Sequence, residues 1–486
     1  MHWWIFGVLG TLAALSRLVM LGYPTHSGTP LFDEKHYVPQ AWQILQSGHG
    51  LPFPFSSGIE DNPGYGLIVH PPVAKQVMAI GQWLFADSAV GWRFMSAVFG
   101  IAVVLMITDL TRRITGSHLA MLVAGGYAVV DGVLLVTSRS GMLDMIQTGF
   151  IIAGVWLLMV DRDQTARRLH QWRDMPDDDT RLGPYLGWRW WRLAAGVMFG
   201  LALGVKWSGL YYIAAFGLFS VFSDLVDRKR AGVQLPTWAA LAKDTLPALR
   251  DLVLAPLMVY VLSWRSWFAE ETSVYRHLPA DKRDLPFELP TWLPDSLANY
   301  LHYQSGVLEF HGSLTTSTGH NHPWESKPWE WLVSWRPILY YSAENTCMGE
   351  RKCDAWLMLF GTPPIWWLLV PVMLWAMWRY LARRDGRFAV PVIGFIASWL
   401  PWVIAFDRQM YFFYATALIP FVLIAYGIIA ADLVKWTPRG KPIGQILVAI
   451  HIGLVICGFL FWMPLLYAIP LPEPLFNLMF WLPSWS

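Results

Sequence analysis

Charged residues are scarce in this sequence of 486 residues, where Asp, Glu, Lys and Arg make up 14% and hydrophobic residues make up 55%. A soluble fold of this length needs more polar surface, so the composition excludes an ordinary soluble protein and indicates a membrane protein. Basic and acidic residues nearly balance, at 36 and 34. That balance provides no global charge argument for a nucleic-acid partner.

Motifs for nucleotides and for zinc are also missing. The sequence has no GxxxxGK[ST] motif and no strand followed by a glycine-rich turn and a helix, so no nucleotide site is predicted. His302, His311, His320 and His322 are clustered, but HExxH and short Cys/His ligand spacings are absent. A dedicated metal site is therefore not predicted.

Long apolar runs, by contrast, are abundant. Windows of about 20 residues predict about eleven membrane spans and hence an all-α integral membrane protein. The predicted spans are Trp3–Gly22, Gly91–Leu110, His118–Thr137, Met145–Val160, Leu193–Val205, Gly209–Leu225, Leu252–Trp264, Trp356–Trp378, Phe388–Phe406, Tyr411–Val434 and Ile443–Tyr467.

Basic residues predict the orientation of these spans. Arg112, Arg113, Arg383, Arg384 and Arg387 lie in short loops on one side of the predicted bundle, which the positive-inside rule makes cytoplasmic. The loops at 23–90 and 265–354 then face outward. In the first loop, two apolar-periodic stretches, 37–45 and 73–85, are expected to lie along the membrane interface as helices. We expect one membrane domain, 1–486, that carries both loops.

Cysteine is rare, with three residues in the chain. Cys347 and Cys353 lie in the outward loop, where a disulfide can persist, whereas Cys457 lies in an apolar span. We predict a Cys347–Cys353 disulfide, with two free thiols as the alternative.

An acidic pair, Asp33 and Glu34, follows the first predicted span. Carboxylates at the mouth of a membrane bundle are costly and usually functional. Asp33 could simply cap a helix that begins near Lys35. The functional interpretation is a general base that accepts a proton from an attacking hydroxyl.

The segment HPPVAK, from His70 to Lys75, begins the second interfacial stretch. Its two prolines are explained by a helix start. His70 and Lys75 are not explained by that start. They either contact a ligand or serve as a hydrogen-bonded histidine and a snorkelling lysine.

Three cations recur at the outward ends of predicted spans: Arg139, Lys206 and Arg408. The positive-inside rule disfavours basic residues there, and an anionic ligand such as a phosphate would explain them. Neutralisation inside the protein, by Asp144 and Asp407, is the alternative.

The stretch from His302 to Pro337 is rich in Trp, His and Pro. It predicts a rigid lid in which His322, Trp324 and Glu325 offer contacts to a substrate.

Taken together, six segments resemble the protein O-mannosyltransferases, specifically the actinobacterial type. They are LFDEKHY, HPPVAK, RSGMLD, LGVKWSG, FHGSLTT with the later HPWESKPWEW, and DRQMYFFYA. The resemblance extends over nearly the whole chain. Ala74 stands where related sequences commonly have glycine, and the large loop is too short for the β-trefoil module of eukaryotic relatives.

The resemblance implies a GT-C membrane glycosyltransferase that moves mannose from a polyprenyl phosphate to Ser or Thr of secreted proteins. It places Asp33 as the base with Glu34 beside it. By the same resemblance, Arg139, Lys206 and Arg408 lie near the lipid phosphate. With Lys75 they form the predicted donor site, and His70, His322, Trp324 and Glu325 form the predicted acceptor contacts.

The expected reaction is a single displacement with inversion at the sugar carbon, on the outer face of the cell membrane, with no cofactor required. A divalent cation shared by Asp33, Glu34 and the lipid phosphate is an open alternative. A transferase that acts on an envelope glycan or lipid, and a transporter of lipid phosphates, also remain. The secreted acceptor is expected to be modified during translocation.

Overall fold

The computed structural model describes residues 3–46, 69–174, 181–269, 271, 273–319, 322–344, 347 and 352–485. Part of the first predicted loop, 47–68, and His320 lie outside the described residues. The described chain is mostly helical.

The first third of the chain forms seven helices. They are α1 (Trp3–Leu18), α2 (Glu34–Gln46), α3 (Val73–Phe85), α4 (Ala89–Thr115), α5 (His118–Val130), α6 (Gly132–Ser138) and α7 (Leu143–Arg173). Helices α2 and α3 occupy the two stretches that were predicted as interfacial helices. Helix α4 packs against α1, α3, α5 and α7 and so ties this part together.

The middle of the chain forms helices α8 (Trp190–Leu203), α9 (Gly209–Arg230), α10 (Pro236–Ala239), α11 (Thr245–Leu249), α12 (Ala255–Ser263), α13 (Arg265–Ala269), α14 (Asp295–Ser313) and α15 (Pro328–Trp331). Two π-helical turns, Ala240–Asp244 and Arg250–Leu254, join α10 to α11 and α11 to α12. Together, α10 to α12 form one apolar element, Pro236–Ser263. The predicted span Leu252–Trp264 is only its last part.

The last third forms strands β1 (Ile338–Ala343) and β2 (Cys353–Leu359), then helices α16 (Pro363–Trp366), α17 (Leu369–Leu381), α18 (Ala389–Ile404), α19 (Ile419–Leu433) and α20 (Ile443–Tyr467), strand β3 (Leu471–Pro472) and helix α21 (Glu473–Asn477). The strands form an antiparallel sheet in the order β1-β2-β3. This small sheet is the departure from the predicted all-α fold.

Within the described ranges, six helical elements are long and apolar enough to cross a membrane, or seven if the bent pair α5–α6 is one span. Shorter apolar helices, α1, α8 and α19, lie where three further spans were predicted. The prediction for Trp356–Trp378 is wrong at its start, because Trp356 lies in β2. A short apolar run fits a buried strand as well as a helix, and here pairing with β1 makes it a strand.

The break between α5 and α6 positions the segment that carries Arg139 and Asp144. The two helices meet at an angle of 56° around Asp131. The carboxylate of Asp131 accepts hydrogen bonds from the backbone N–H of Leu134 (3.0 Å) and from the indole of Trp366 (2.6 Å). Because the side chain of Asp131 caps α6, a backbone N–H group that the break leaves free has a hydrogen-bond partner inside the bundle.

At the far end of α7, the buried charges are all paired. Arg189 pairs with Asp161 and Asp224, and Arg192 pairs with Asp224 and Asp251. All five side chains are at least 95% buried. We call these five residues the far-end ion network. The second π-helical turn carries Asp251 into it, which fits the tendency of such turns to place a specific side chain.

Candidate active site

Asp33 lies directly before α2, in a turn held by its backbone. Its carbonyl accepts hydrogen bonds from the N–H groups of His36 (3.0 Å) and Tyr37 (3.3 Å). Phe32, the preceding residue, has a φ of +48°, a left-handed conformation that is rare for non-glycine residues and is concentrated at functional sites. In the part of the chain that the structure describes, no group donates a hydrogen bond to the Asp33 side chain. The carboxylate is therefore not a helix cap.

Burial makes this carboxylate a suitable base. It raises the pKa of Asp33 to about 6, against the opposing effect of the Lys206 ammonium and with a further upward contribution from Asp144. A carboxylate whose pKa is near the working pH is largely deprotonated and is still basic enough to accept a proton.

Glu34 has a different environment from its neighbour. Its Oε1 lies 2.7 Å from Nε of Arg93 and 2.7 Å from the backbone nitrogen of Gly141. Its Oε2 accepts hydrogen bonds from the Leu31 N–H, the Arg93 guanidinium and the Trp92 indole. Both Glu34 and Arg93 are 1% exposed. A carboxylate saturated with donors in this way holds the turn, and the catalytic role predicted for Glu34 stays a prediction.

Lys206 and Asp144 form a buried ion pair near Asp33. Nζ of Lys206 lies 2.8 Å from Oδ1 of Asp144 and 5.2 and 5.5 Å from the ring centroids of Phe413 and Tyr414. The other oxygen of Asp144, Oδ2, is buried without a hydrogen-bond partner among the described residues. The pair thus retains hydrogen-bonding capacity for a ligand.

A cavity of about 260 Å³ lies beside this ion pair. Its polar wall is formed by His70, Asp144, Gln147, Thr148, Lys206, His311 and Arg408. Its apolar wall includes Leu210, Leu308 and Trp402, and the side chains of Leu210 and Leu308 are 53% and 63% exposed. A cavity with cations at one end and exposed hydrocarbon at the other suits an amphiphile with an anionic head group.

Arg408 and His311 are held together at the polar end. Nη2 of Arg408 lies 2.9 Å from Nδ1 of His311, and Nε2 of His311 lies 2.8 Å from the carbonyl oxygen of Val69. Because guanidinium groups only donate, Nδ1 accepts and Nε2 donates. Burial and the charge of Arg408 lower the pKa of His311 to about 4. Nε of Arg408 is buried and has no partner in the described ranges.

His70 and Lys75 take different positions. The His70 ring lines the cavity, 5.2 Å from the His311 ring. Lys75 is 1% exposed and does not line the cavity; its Nζ donates to the His70 carbonyl oxygen at 2.9 Å. No carboxylate in the described residues pairs with it, and burial lowers its pKa to about 7. In this arrangement Lys75 supports the backbone of His70, and its predicted contact with a phosphate stays a prediction.

Arg139, like Lys75, lies apart from Lys206 and Arg408, the two predicted phosphate-binding residues that line the cavity. Its guanidinium donates to the carbonyl oxygens of Ser16, Arg17, Val19 and Met20, at 2.8 to 3.1 Å. It also lies 4.6 Å from the Tyr467 ring centroid. Arg139 therefore satisfies the free carbonyls after α1, as cations at helix C-termini commonly do, and is not among the residues that line the cavity.

The predicted lid is attached to the segment that carries Arg408. Glu325 accepts hydrogen bonds from Lys327 (2.6 Å) and from the Thr316 hydroxyl (2.9 Å), and Lys327 also donates to the Arg408 carbonyl oxygen. His322 packs on Tyr411, and Trp324 lies under the guanidinium of Arg336. The lid thus lies beside the site, although none of its three predicted contact residues lines the cavity.

Asp407 does not neutralise Arg408; its carboxylate binds the backbone and hydroxyl of Ser317. The predicted Cys347–Cys353 disulfide is confirmed. Among the described residues, no group of three His, Cys, Asp or Glu side chains is arranged to hold a metal ion.

The sequence did not single out Gln147 or Thr148, nor the cavity-lining aromatic residues Tyr211, Tyr212 and Trp402. Gln147 and Thr148 lie one helical turn beyond Asp144 on α7, so helical periodicity was the signal that could have found them.

Two family models match the chain. Residues 66–237 match the model described as dolichyl-phosphate-mannose-protein mannosyltransferase. Residues 296–485 match the model described as the C-terminal four-transmembrane region of protein O-mannosyltransferase.

Curated relatives and a solved structure agree with these models. A polyprenol-phosphate-mannose–protein mannosyltransferase of Corynebacterium glutamicum is 49% identical over 99% of this chain and 93% of the relative. One from Mycobacterium tuberculosis is 41% identical over 99% and 92%. The S. cerevisiae protein O-mannosyltransferase Pmt1-Pmt2 complex, solved with its sugar donor, matches with a TM-score of 0.73 at 14% identity, over 100% of this chain and 92% of that chain.

Proposed function

Because the chain belongs to the family of dolichyl-phosphate-mannose-protein mannosyltransferases, we propose that it transfers mannose from polyprenyl-phosphate mannose to Ser or Thr hydroxyls of proteins. The chain has a GT-C type membrane bundle. The observation that carries the proposal is the partly buried carboxylate of Asp33, within electrostatic range of the Lys206–Asp144 pair that lines the amphiphilic cavity.

In the proposed reaction, the acceptor oxygen attacks the sugar carbon while the bond from that carbon to the phosphate oxygen breaks. The hydroxyl proton passes to the carboxylate of Asp33. The leaving polyprenyl phosphate gains negative charge, which Arg408 and Lys206 stabilise. Attack from the side opposite the phosphate inverts the sugar carbon. No cofactor takes part, and activity that persists after exhaustive chelation supports this part of the proposal.

The proposed donor position follows from the two ends of the cavity. The phosphate lies among Arg408, Lys206 and His311, and the polyprenyl chain leaves past Leu210 and Leu308 into the lipid. The acceptor approaches Asp33 from the side of His322 and Trp324. Because Asp33 is largely covered, we propose an acceptor that is extended and unfolded, as a secreted chain is during translocation.

We further propose that the site faces outward from the cell membrane. Arg112, Arg113, Arg383 and Arg384 lie at the helix ends opposite the site, in agreement with the positive-inside rule. Labelling with an impermeant thiol reagent tests this in intact cells. Asp281→Cys, in the large loop, should react, whereas Thr115→Cys should react only after the membrane is opened.

The decisive experiment is incubation of the purified protein with polyprenyl-phosphate mannose and a Ser/Thr peptide, followed by mass analysis. We expect one added hexose on a hydroxyl side chain. Hexose transfer to a glycan or lipid in place of the peptide would contradict the proposed acceptor.

A further inference from the structure

Three buried hydrogen-bonding groups on and around Asp144 have no protein partner among the described residues. They are the hydroxyl of Tyr340, the hydroxyl of Thr148 and Oδ2 of Asp144, which lack hydrogen bonds among the described residues. The three residues are 6%, 0% and 6% exposed. Buried polar groups are paired in the great majority of cases, so three unpaired groups around one cavity-lining carboxylate indicate a place for a polar ligand.

Tyr340 is placed there by an irregularity in β1. Strand β1 pairs with β2 through Leu339↔Met358 and Tyr341↔Leu357, which leaves Tyr340 as the extra residue of a β-bulge. Bulges redirect a side chain and are frequent next to active sites. The disulfide to Cys353, the first residue of β2, closes the connection between the strands.

The ring of Tyr340 is fixed against the turn that carries the base. It stacks on Phe32 with ring centroids 4.8 Å apart, and Phe32 immediately precedes Asp33. Burial, followed by the charges of Asp144, Asp33 and Glu34, raises the pKa of the Tyr340 phenol well above its usual value. The phenol therefore stays protonated and acts as a donor within electrostatic range of both Asp33 and Asp144.

Thr148 and Asp144 complete the set from α7. They are four residues apart and so lie on the same face of the helix, and both line the cavity. Oδ1 of Asp144 is occupied by Lys206, which leaves Oδ2 as an acceptor. A phenol donor, a threonine hydroxyl and a carboxylate oxygen match the neighbouring hydroxyls of a sugar ring, each of which donates and accepts.

We propose that Tyr340, Thr148 and Asp144 form the subsite that binds the ring hydroxyls of the transferred hexose. This inference rests on the proposed function, because the hexose is the group that is transferred. Tyr340 is a specificity residue here: it distinguishes donors by their hydroxyls and does not take part in proton transfer. The subsite is centred on Asp144, which lines the cavity and lies within electrostatic range of Asp33.

The first test compares binding of polyprenyl phosphate with binding of polyprenyl-phosphate mannose, followed by the intrinsic Trp fluorescence of the full-length protein. Tyr340→Phe and Thr148→Val remove one hydroxyl each and keep the packing. We expect both variants to bind polyprenyl phosphate as the wild type does, and to lose about 10-fold in affinity for the mannosylated lipid. Tyr300→Phe is the matched control, since Tyr300 is a 7% exposed tyrosine that packs on Trp264 and Trp267.

The second test uses donors that lack one hydroxyl of the mannose. If Tyr340 binds a particular hydroxyl, Tyr340→Phe lowers kcat/KM for the normal donor about 10-fold but has no further effect on the donor that lacks that hydroxyl. An equal loss for every deoxy donor, or no loss for any donor, would overturn the proposal.

These tests distinguish a failure of the proposed function from a failure of the proposed subsite. If Tyr340→Phe and Thr148→Val lose affinity for the mannosylated lipid only, yet the wild type transfers no hexose to peptide, the subsite stands and the proposed protein acceptor fails. If transfer to peptide is normal but Tyr340→Phe leaves donor binding and all kcat/KM values unchanged, the proposed function stands and the subsite fails.

Discussion

The buried charged groups near the two ends of α7 differ in how completely they are paired. At the far end, the carboxylates and guanidinium groups of the far-end ion network pair with one another. At the end that carries the site, Oδ2 of Asp144 and Nε of Arg408 are buried without a hydrogen-bond partner among the described residues, and the buried ammonium of Lys75 has no carboxylate partner there. With a rise of 1.5 Å per residue, Asp161 and Asp144 are roughly 25 Å apart along the helix. Complete pairing is typical of a structural role, and incomplete pairing indicates a place for a ligand.

The largest expected effect at the site end is the loss of the base. Asp33→Asn removes the proton acceptor, and we expect turnover to fall by about 10²- to 10⁴-fold while donor binding is retained. Mannosylation of peptide by purified variants measures turnover, and a lipid-binding assay measures affinity. Asp281→Asn, an exposed aspartate of the large loop, is the control. Turnover near the wild-type value in Asp33→Asn would remove Asp33 from the mechanism.

At the far end, the largest expected effect is on stability. Asp224→Asn leaves Arg189 and Arg192 with less negative charge to pair with, and we expect a loss of about 3–5 kcal/mol in the free energy of unfolding. The donor KM of the remaining folded protein should not change. Asp163→Asn, which breaks a partly exposed pair with Arg113, should cost less than about 1 kcal/mol. Thermal melting in detergent distinguishes the two, and a changed donor KM in Asp224→Asn would contradict the division between the ends.

Arg408 and Arg139 both lie at the outward ends of predicted spans, and replacing each of them tests the comparison further. Arg408→Ala should raise the donor KM about 10- to 100-fold, because a hydrogen-bonded charge that faces the phosphate is lost. Arg139→Ala should leave the donor KM unchanged and lower the melting temperature, because its guanidinium binds the carbonyls after α1. An increase in donor KM for Arg139→Ala would restore its predicted role at the phosphate.

The acidity of Asp33 predicts a pH dependence. Since burial raises its pKa to about 6, the active carboxylate form is lost as the pH falls through that value. We expect kcat/KM to drop about tenfold per pH unit below 6 and to level off above it. His311, with a pKa of about 4, is already neutral in this range. Rates measured from about pH 4.5 to 6.5 test this, and a flat profile would show that a different group is the base.

The smallest expected effect concerns Lys75. Its folded-state pKa of about 7 lies below the unfolded value of 10.5, so the unfolded chain binds more protons between these values and stability rises with pH there. Lys75→Met should remove that slope and raise the free energy of unfolding by about 1 kcal/mol near neutral pH. Lys282→Met, at an exposed position, should change neither. Destabilisation of Lys75→Met would mean that the hydrogen bond of the ammonium to the His70 carbonyl outweighs the cost of its burial.

Local sequence signals predicted much of this arrangement. Hydrophobic runs located most of the apolar helices, the Pro pair marked the start of α3, and misplaced cations pointed to Lys206 and Arg408. The disulfide followed from the predicted topology.

What the sequence did not predict depends on contacts between distant segments. Glu34 and Arg93 are 59 residues apart, and the contacts of Arg139 to residues 16–20 span about 120 residues. Neither contact leaves a local pattern in the sequence. The side chains of Glu34 and Arg139 therefore resembled ligand-binding groups. The apolar run at Trp356 could form a helix or a strand, and only its pairing with β1 decides between them.

The exposed side chains of Leu210 and Leu308, which line the cavity, have a kinetic consequence if the donor enters past them as proposed. A donor that arrives along the bilayer is encountered by lateral diffusion in two dimensions, and bulk molarity does not describe its supply. Its Michaelis constant is properly expressed as a mole fraction of membrane lipid. Adding inert phospholipid at a fixed amount of donor should then slow the enzyme by surface dilution, even though no molecule competes for the site.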